Sequence, residues 1–224
     1  MITVHHLNNS RSQRVLWLLE ELELEYQIVH YQRDLNTMLA PPELKAVHAL
    51  GKSPVITDGD ITVAETGAII EYILDTYGKD RLRPPRGSKA ARQFTYWLHY
   101  AEGSIMPLMV MTLIFRRIET ATMPFFVKPV AKGIVDKVRQ GYLDPNIKNH
   151  LDFMEAELAH SGWFAGDQFS AADIQMSFPV EAAQARGALK ERVNLASFLA
   201  RIHARPAYQR ALSKGGPFEL QGKS

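Results

Sequence analysis

Every segment of this 224-residue chain that reads as a β-strand lies before residue 65. None follows the charged, proline-rich run Lys79-Asp80-Arg81-Leu82-Arg83-Pro84-Pro85-Arg86-Gly87. A run of that composition is typical of a connection between folding units. The expected fold class is therefore α/β followed by all-α, with a mixed unit at residues 1–79, a linker at 80–87 and a helical unit at 88–224. A chain of this length can bury a core in each.

In the first unit, Ile2-Thr3-Val4-His5 is a β-branched run that breaks at the turn and cap formers Asn8-Asn9-Ser10. From Ser12, the stretch SQRVLWLLEELEL gathers Val15, Leu16, Leu18, Leu19 and Leu22 on one face, with Glu20, Glu21 and Glu23 expected to face out. Tyr26-Gln27-Ile28-Val29-His30 alternates as a second strand, completing a β-α-β unit whose parallel pairing needs a right-handed crossover. Residues 31–50 are irregular, with Pro41 and Pro42 able to start a short helix. Pro54-Val55-Ile56-Thr57 and Ile61-Thr62-Val63 flank Asp58-Gly59-Asp60, a hairpin whose Asp-Gly step favours left-handed turn geometry. A helix from Glu65 to near Gly78 closes the unit. Beyond the linker, helical periodicity runs over 88–120, 126–160, 170–186 and 195–213, with breaks at Pro124, Ser161-Gly162, Gly187 and Pro206.

The absence of cysteine excludes disulfides, Cys-ligated zinc and a protein thiol as nucleophile. Any sulfur chemistry must use a ligand's thiol. With 26 basic against 24 acidic side chains and no reader motif, nucleic acid is not an expected partner. The eight histidines form no H-x-x-x-H or H-E-x-x-H pattern, and the adjacent His5 and His6 point to opposite faces of their strand, so no metal site is expected. No signal peptide is evident and no run of about 18 apolar residues is seen, so the expected location is cytoplasmic, with no membrane partner.

Some motifs carry structure and some carry chemistry. Ser170-Ala171-Ala172-Asp173, between Phe169 and Ile174, has the pattern of a capping box with Asp in the fourth position, and folding is its expected role. Glu65-Thr66 at a helix start places an acid, a hydroxyl and free backbone amides together. They form an ordinary cap, or a seat for a ligand that carries both a carboxylate and an ammonium. Pro54 heads a strand although it cannot donate a ladder hydrogen bond. The bond Ser53-Pro54 is where a cis peptide is tolerated, and Ser53 can leave its backbone open to an extended peptide. The apolar stretch FTYWLHYAEGSIMPLMVMTLIF at 94–115 lines a ligand pocket or forms core and partner interface.

Taken in order, these elements resemble the cytosolic glutathione transferases over essentially the whole chain: G-K-S-P-V-I before the third strand, D-G-D in the hairpin, E-T-G-A-I-I-E-Y-I after the fourth, the linker, then F-S-A-A-D-I. The segment H-x-L-x-x-S-R-S-x-R-V-L-W-L-L-E-E-L, with the later run R-D…A-P-P-E-L…H-x-L-G-K-S-P, looks most like the serine-type microbial branch with a theta-like active-site loop. The resemblance implies a thioredoxin-like first domain that binds glutathione as co-substrate, no permanently bound cofactor, an electrophile pocket in the helical domain, and a homodimer.

The resemblance also implies roles for residues. Ser53 would pair its backbone with the cysteinyl part of glutathione, with Pro54 cis. Glu65 and Thr66 would hold the γ-glutamyl end, and Lys52 would lie near the glycyl end. Counting back from Arg14, the catalytic position falls on Ser10, with Asn9 and Ser12 as alternatives. Its hydroxyl, aided by helix amides and Arg11, would favour thiolate over thiol. Tyr96, Tyr100, Met106, Met109 and Phe115 are candidates for the electrophile pocket. The implied reaction is conjugation of glutathione to small hydrophobic electrophiles. A glutathione-dependent disulfide reductase or peroxidase, or a non-catalytic binding protein of the same fold, are the rival readings.

Overall fold

The computed structural model describes residues 1–34, 37 and 39–216. Leu35, Asn36, Met38 and residues 217–224, which the sequence assigned to the irregular connection and to the end of the helical unit, lie outside the described residues. Strands β1 (Ile2–Leu7), β2 (Tyr26–Tyr31), β3 (Val55–Asp58) and β4 (Ile61–Ala64) form one sheet in the order β2-β1-β3-β4. β1 and β2 run parallel around helix α1 (Ser12–Glu21), while β3 pairs antiparallel with both β1 and β4. Gly59 takes φ +58 in the β3–β4 turn, the backbone region where a residue without Cβ carries no penalty. The short helix α2 (Leu44–Val47) starts just after Pro41 and Pro42, and α3 (Thr66–Tyr77) ends at Gly78.

Strand β3 begins one residue later than its sequence pattern. Val55 pairs with His5, whereas Pro54 is buried outside the ladder, because a residue without N–H has nothing to give an interior strand. The Ser53-Pro54 peptide is cis.

The helical part comprises α4 (Lys89–Tyr100), α5 (Met106–Thr120), α6 (Lys128–Val138), α7 (Asp144–Ser161), α8 (Ala171–Gln184), α9 (Val193–His203) and α10 (Pro206–Gly215). α4 runs into α5 through a π turn at Ala101–Ile105, and α6 runs into α7 through a second at Arg139–Leu143. The two turns share a cause. Pro107 and Pro145 cannot donate to the carbonyl four residues back, and the helix widens instead, closing with Met106 N–H to Ala101 O and Asp144 N–H to Arg139 O. Sequence periodicity ran straight through both prolines, and the structure shows how the helix survives them. The rod Lys89–Thr120 contains a window of mean hydropathy 1.3, enough by length and composition alone to cross a membrane, although polar residues such as Glu102 and Ser104 interrupt it. Trp97, Tyr100, Ala101, Ile105, Met106 and Met109 on it are instead buried in the protein core.

Two further features tie the halves together. Helix α1 is buried from Ser12 through Glu20, because the sheet covers one side and α8 and α10 cover the other. Glu20 was expected to face solvent; it is only 6% exposed and is held by Arg210, Lys214 and the Tyr26 hydroxyl. Glu21 accepts both Nε and Nη2 of Arg205. Helix α10 supplies Arg210 and Lys214, with Arg205 just before its start, and covers that face. The linker is also pinned, with Ala171 N–H bonded to Leu82 O and Arg81 to Leu22 O. The hydrophobic core is continuous across it.

The expected cap at the start of α8 is present. Ser170 Oγ accepts from Ala172 N–H, while Asp173 accepts from Ser170 N–H and also from Phe164 N–H. Burial pushes the Asp173 carboxyl up to about 6, against the pull of those hydrogen bonds.

Candidate active site

The loop after β1 brings Asn9, Ser10 and Arg11 to the start of α1. Asn9 is exposed with φ +49, a left-handed conformation that asparagine tolerates better than most residues. Ser10 is 4% exposed. Its Oγ accepts from Ser12 N–H at 3.2 Å and lies 2.7 Å from Ser12 Oγ. Ser12 is fully buried, and its hydroxyl also meets His6 Nδ1 at 2.8 Å.

Ser53 comes to the same place from 43 residues away. Its hydroxyl donates to His5 O at 3.0 Å and stands 3.5 Å from Ser10 Oγ. The cis-proline loop and the β1–α1 loop thus meet over the end of β1. Lys52 beside it is exposed.

A second cluster joins this corner to the start of α3. Arg14, buried on α1, donates to Thr66 Oγ1 at 3.2 Å, to Gln175 O at 2.6 Å and to Glu102 Oε1 at 2.6 Å. Arg11 Nε donates to the same Glu102 oxygen at 3.0 Å. Burial raises the carboxyl pKa of Glu102, but the charges and hydrogen bonds of Arg14 and Arg11 outweigh it and leave the value below the usual range. Burial draws the Arg14 guanidinium down, with Glu102 opposing. Thr66 is 2% exposed and turned toward Arg14. Glu65, at φ +71, is exposed at the N-terminus of α3. The first intrahelical bond there runs from Ile69 N–H to Glu65 O, so the amides of Thr66, Gly67 and Ala68 have no intrahelical acceptor.

The geometry therefore joins Ser10, Ser12, Ser53 and Pro54 at one point, and Arg11, Arg14, Glu102 and Thr66 at the next. The chain as a whole, a β-α-β-α-β-β-α unit with a helical unit behind it, matches solved proteins along nearly its full length. A glutathione S-transferase from Actinobacillus pleuropneumoniae superposes with a TM-score of 0.83 at 32% identity, covering 98% of this chain and 95% of that one. The family model of the glutathione S-transferase N-terminal domain matches residues 1–75, and that of the C-terminal domain matches 143–218.

The chain belongs to the glutathione S-transferase family.

Curated glutathione S-transferases agree. Glutathione S-transferase 1 of Saccharomyces cerevisiae is 38% identical over 190 residues, 82% of this chain and 81% of the relative. Glutathione S-transferase 3 of Schizosaccharomyces pombe is 34% identical over 216 residues, 96% of this chain and 88% of the relative. The first domain of this glutathione S-transferase is thioredoxin-like and the second is mostly helical, as expected from sequence.

Not every candidate lies in the polar corner of this transferase. Tyr96 and Tyr100 pack edge-on or tilted against Trp97 and Phe153, and the Tyr100 hydroxyl bonds His150 on α7. They face the α4–α7 packing. Met106 and Met109 are buried, Met109 accepting at Sδ from Arg186, and Phe115 is half-buried further along α5. Phe178 of α8, which sequence reading did not single out, lies under both guanidinium groups, 5.0 Å from Arg11 and 5.3 Å from Arg14. Glu102 was also missed, and the signal for it was present. It is the only acid in the apolar run 94–115, one residue before Gly103 and in the turn ahead of Pro107.

Proposed function

We propose that this transferase belongs to the serine-type branch and conjugates glutathione to small hydrophobic electrophiles, with Ser10 as the residue that faces the sulfur. The observation that supports this most is the meeting of Ser10 Oγ with the Ser53 hydroxyl at 3.5 Å, beside a cis proline and at the positive end of α1. An extended tripeptide laid along Ser53 would place its cysteinyl sulfur at Ser10. Its γ-glutamyl end would reach the free amides of α3, where Glu65 offers a carboxylate to the ligand's ammonium. Lys52 would meet the glycyl carboxylate.

Ser10 then acts without becoming covalently modified. Its O–H donates to the glutathione sulfur, which stabilises S⁻ over S–H and lowers a thiol pKa of about 8.5 toward neutrality. The thiolate attacks the electrophile; the new C–S bond forms as the leaving group departs with the electron pair, or as a conjugated acceptor takes it up. Arg11 adds positive potential near the sulfur, moderated by its bond to Glu102. Phe178, beside Arg11 and Arg14, would give the apolar wall on the helical side for the second substrate, with Met106 and Met109 packed in the core behind it. The protein would work as a cytoplasmic homodimer; the exposed apolar side chains Val110, Leu113 and Ile114 on α5 are consistent with a covered face.

The test is Ser10→Ala, with the thiol of bound glutathione titrated by thiolate ultraviolet absorbance. The expected result is a thiol pKa raised by about 1–2 units, the worth of one hydrogen bond to a charged group. An unchanged pKa removes Ser10 from the reaction. Assaying an aryl halide beside a mixed disulfide separates conjugation from disulfide reduction.

A further inference from the structure

The reading of Ser10 as a donor to sulfur requires that Ser10 have a proton to give, and the groups behind it compete for that proton. Ser10, Ser12 and His6 form a buried row, with Ser12 Oγ 2.7 Å from Ser10 Oγ and 2.8 Å from His6 Nδ1. Their exposures are 4%, 0% and 4%. Each hydroxyl carries one proton, and a neutral imidazole carries one on one of its two nitrogens. The ring is neutral near pH 7, because burial, with help from His30, holds its pKa down to about 4. The Ser53 proton is already committed to His5 O.

Ser12 Oγ also lies 3.4 Å from Leu7 O and Ser10 Oγ 3.5 Å from Ser53 Oγ, but two arrangements turn both of the short contacts, 2.7 and 2.8 Å, into hydrogen bonds. With the ring proton on Nε2, Nδ1 accepts from Ser12, so Ser12 has nothing left for Ser10. Ser10 must then donate to Ser12, and its own proton is spent inside the protein. With the ring proton on Nδ1, His6 donates to Ser12, Ser12 donates to Ser10, and the Ser10 proton is released toward the ligand. The number of protons is the same in both; only their direction differs.

The end of α10 favours the first arrangement. The His6 ring faces the Gly215 backbone, which draws its pKa up, the direction of a ring N–H given to a carbonyl of the last helical turn. The contact is close by construction. A Cβ at Gly215 would stand 2.7 Å from Gln13 Oε1, 2.7 Å from Leu16 Cδ1 and 3.3 Å from His6 Cε1.

We propose that His6 is a positioning residue that determines, through Ser12, whether Ser10 can donate its hydroxyl proton to the glutathione sulfur, and that the end of α10 biases this choice through Gly215. Thiolate bound at Ser10 draws the row into the donating arrangement and moves the ring proton from Nε2 to Nδ1 by exchange with solvent. The proposal rests on the assignment of Ser10 to the sulfur.

Nitrogen-15 NMR of the histidine rings reads the tautomer directly in the full-length protein. The expected result is a His6 protonated at Nε2 in the free protein and with S-methylglutathione, which has no thiolate. A shift toward Nδ1–H is expected with glutathione at a pH where its thiol is ionised. One tautomer throughout would overturn the proposal. A second measurement uses Ser12→Ala, which removes the competing acceptor. The thiol pKa of bound glutathione is expected to fall by about 1 unit, opposite to the rise for Ser10→Ala. A rise in Ser12→Ala overturns the relay while leaving Ser10 in place. No change in Ser10→Ala instead sinks the assignment on which the relay depends.

Discussion

Arg14 and Glu102, 88 residues apart in the chain, meet at 2.6 Å on the seam between the two domains. Arg14 is 2% exposed and Glu102 30%. The π turn at Ala101–Ile105 carries Glu102, and Pro107 is the reason for that turn. One proline thus stands behind the only carboxylate bonded to both Arg11 and Arg14 among the described residues. Glu102→Gln leaves the Arg14 guanidinium buried without its counter-charge. Partial solvent exposure at Glu102 moderates the cost, which is expected at about 1–3 kcal/mol. Urea unfolding measures it, and a double-mutant cycle with Arg14→Met is expected to show coupling of similar size.

Thr66 accepts from Arg14 while standing at the free amides of α3. Thr66→Val removes that acceptor and the hydroxyl proposed for the γ-glutamyl end, and is expected to raise KM for glutathione about tenfold, with Thr66→Ser restoring it. A KM that stays fixed while stability falls would reduce Thr66 to a prop for Arg14.

Asp173 accepts from two backbone amides, Ser170 and Phe164, through different oxygens. In Asp173→Asn the side-chain NH₂ must face one of those N–H donors. The expected loss is about 1–3 kcal/mol, read as a lower denaturant midpoint with an unchanged slope. Glutathione affinity of the folded fraction is expected to stay as it was, because the box lies at the start of α8, away from Ser10.

His6 links stability to pH. Its pKa is about 4 in the folded protein, against an ordinary 6.5. The unfolded chain therefore binds the proton more readily, so the stabilisation is complete above pH 6.5 and is lost as pH falls toward 4. The difference amounts to at most about 3 kcal/mol. Asp173, raised to about 6, acts with the opposite sign and loses its contribution as pH rises from 4 to 6. Comparing the protein with His6→Asn across pH 4–8 cancels Asp173, which is present in both. The expected difference is a steeper acid loss in the unsubstituted protein; parallel curves would show that His6 is not held neutral.

Much of the fold was legible because it is encoded locally. The Asp58-Gly59 step, the Ser170–Asp173 cap and the apolar face of α1 each depend on residues a few positions apart, and each formed as its pattern required. Glu20 was misread because the same helix pattern fits an exposed face or one covered by a later element. Only α10, nearly two hundred residues on, decided which. The side of α4 that meets α7, where Tyr100 bonds His150, was not legible for a related reason, since position after the linker says nothing about which side of a helix is covered.

The sequence by itself determined the order of the elements and the bond, Ser53-Pro54, where a cis peptide is tolerated. These follow from backbone preference and turn chemistry, which act over short spans. The sulfur role of the loop with Asn9, Ser10 and Ser12 came from the family resemblance. The tertiary structure decided which polar groups share a proton or a charge. Ser10 meets Ser53, Arg14 meets Glu102 and His6 meets Gly215 only once distant elements pack. A hydrogen bond requires an approach of about 3 Å, which no spacing along a chain guarantees.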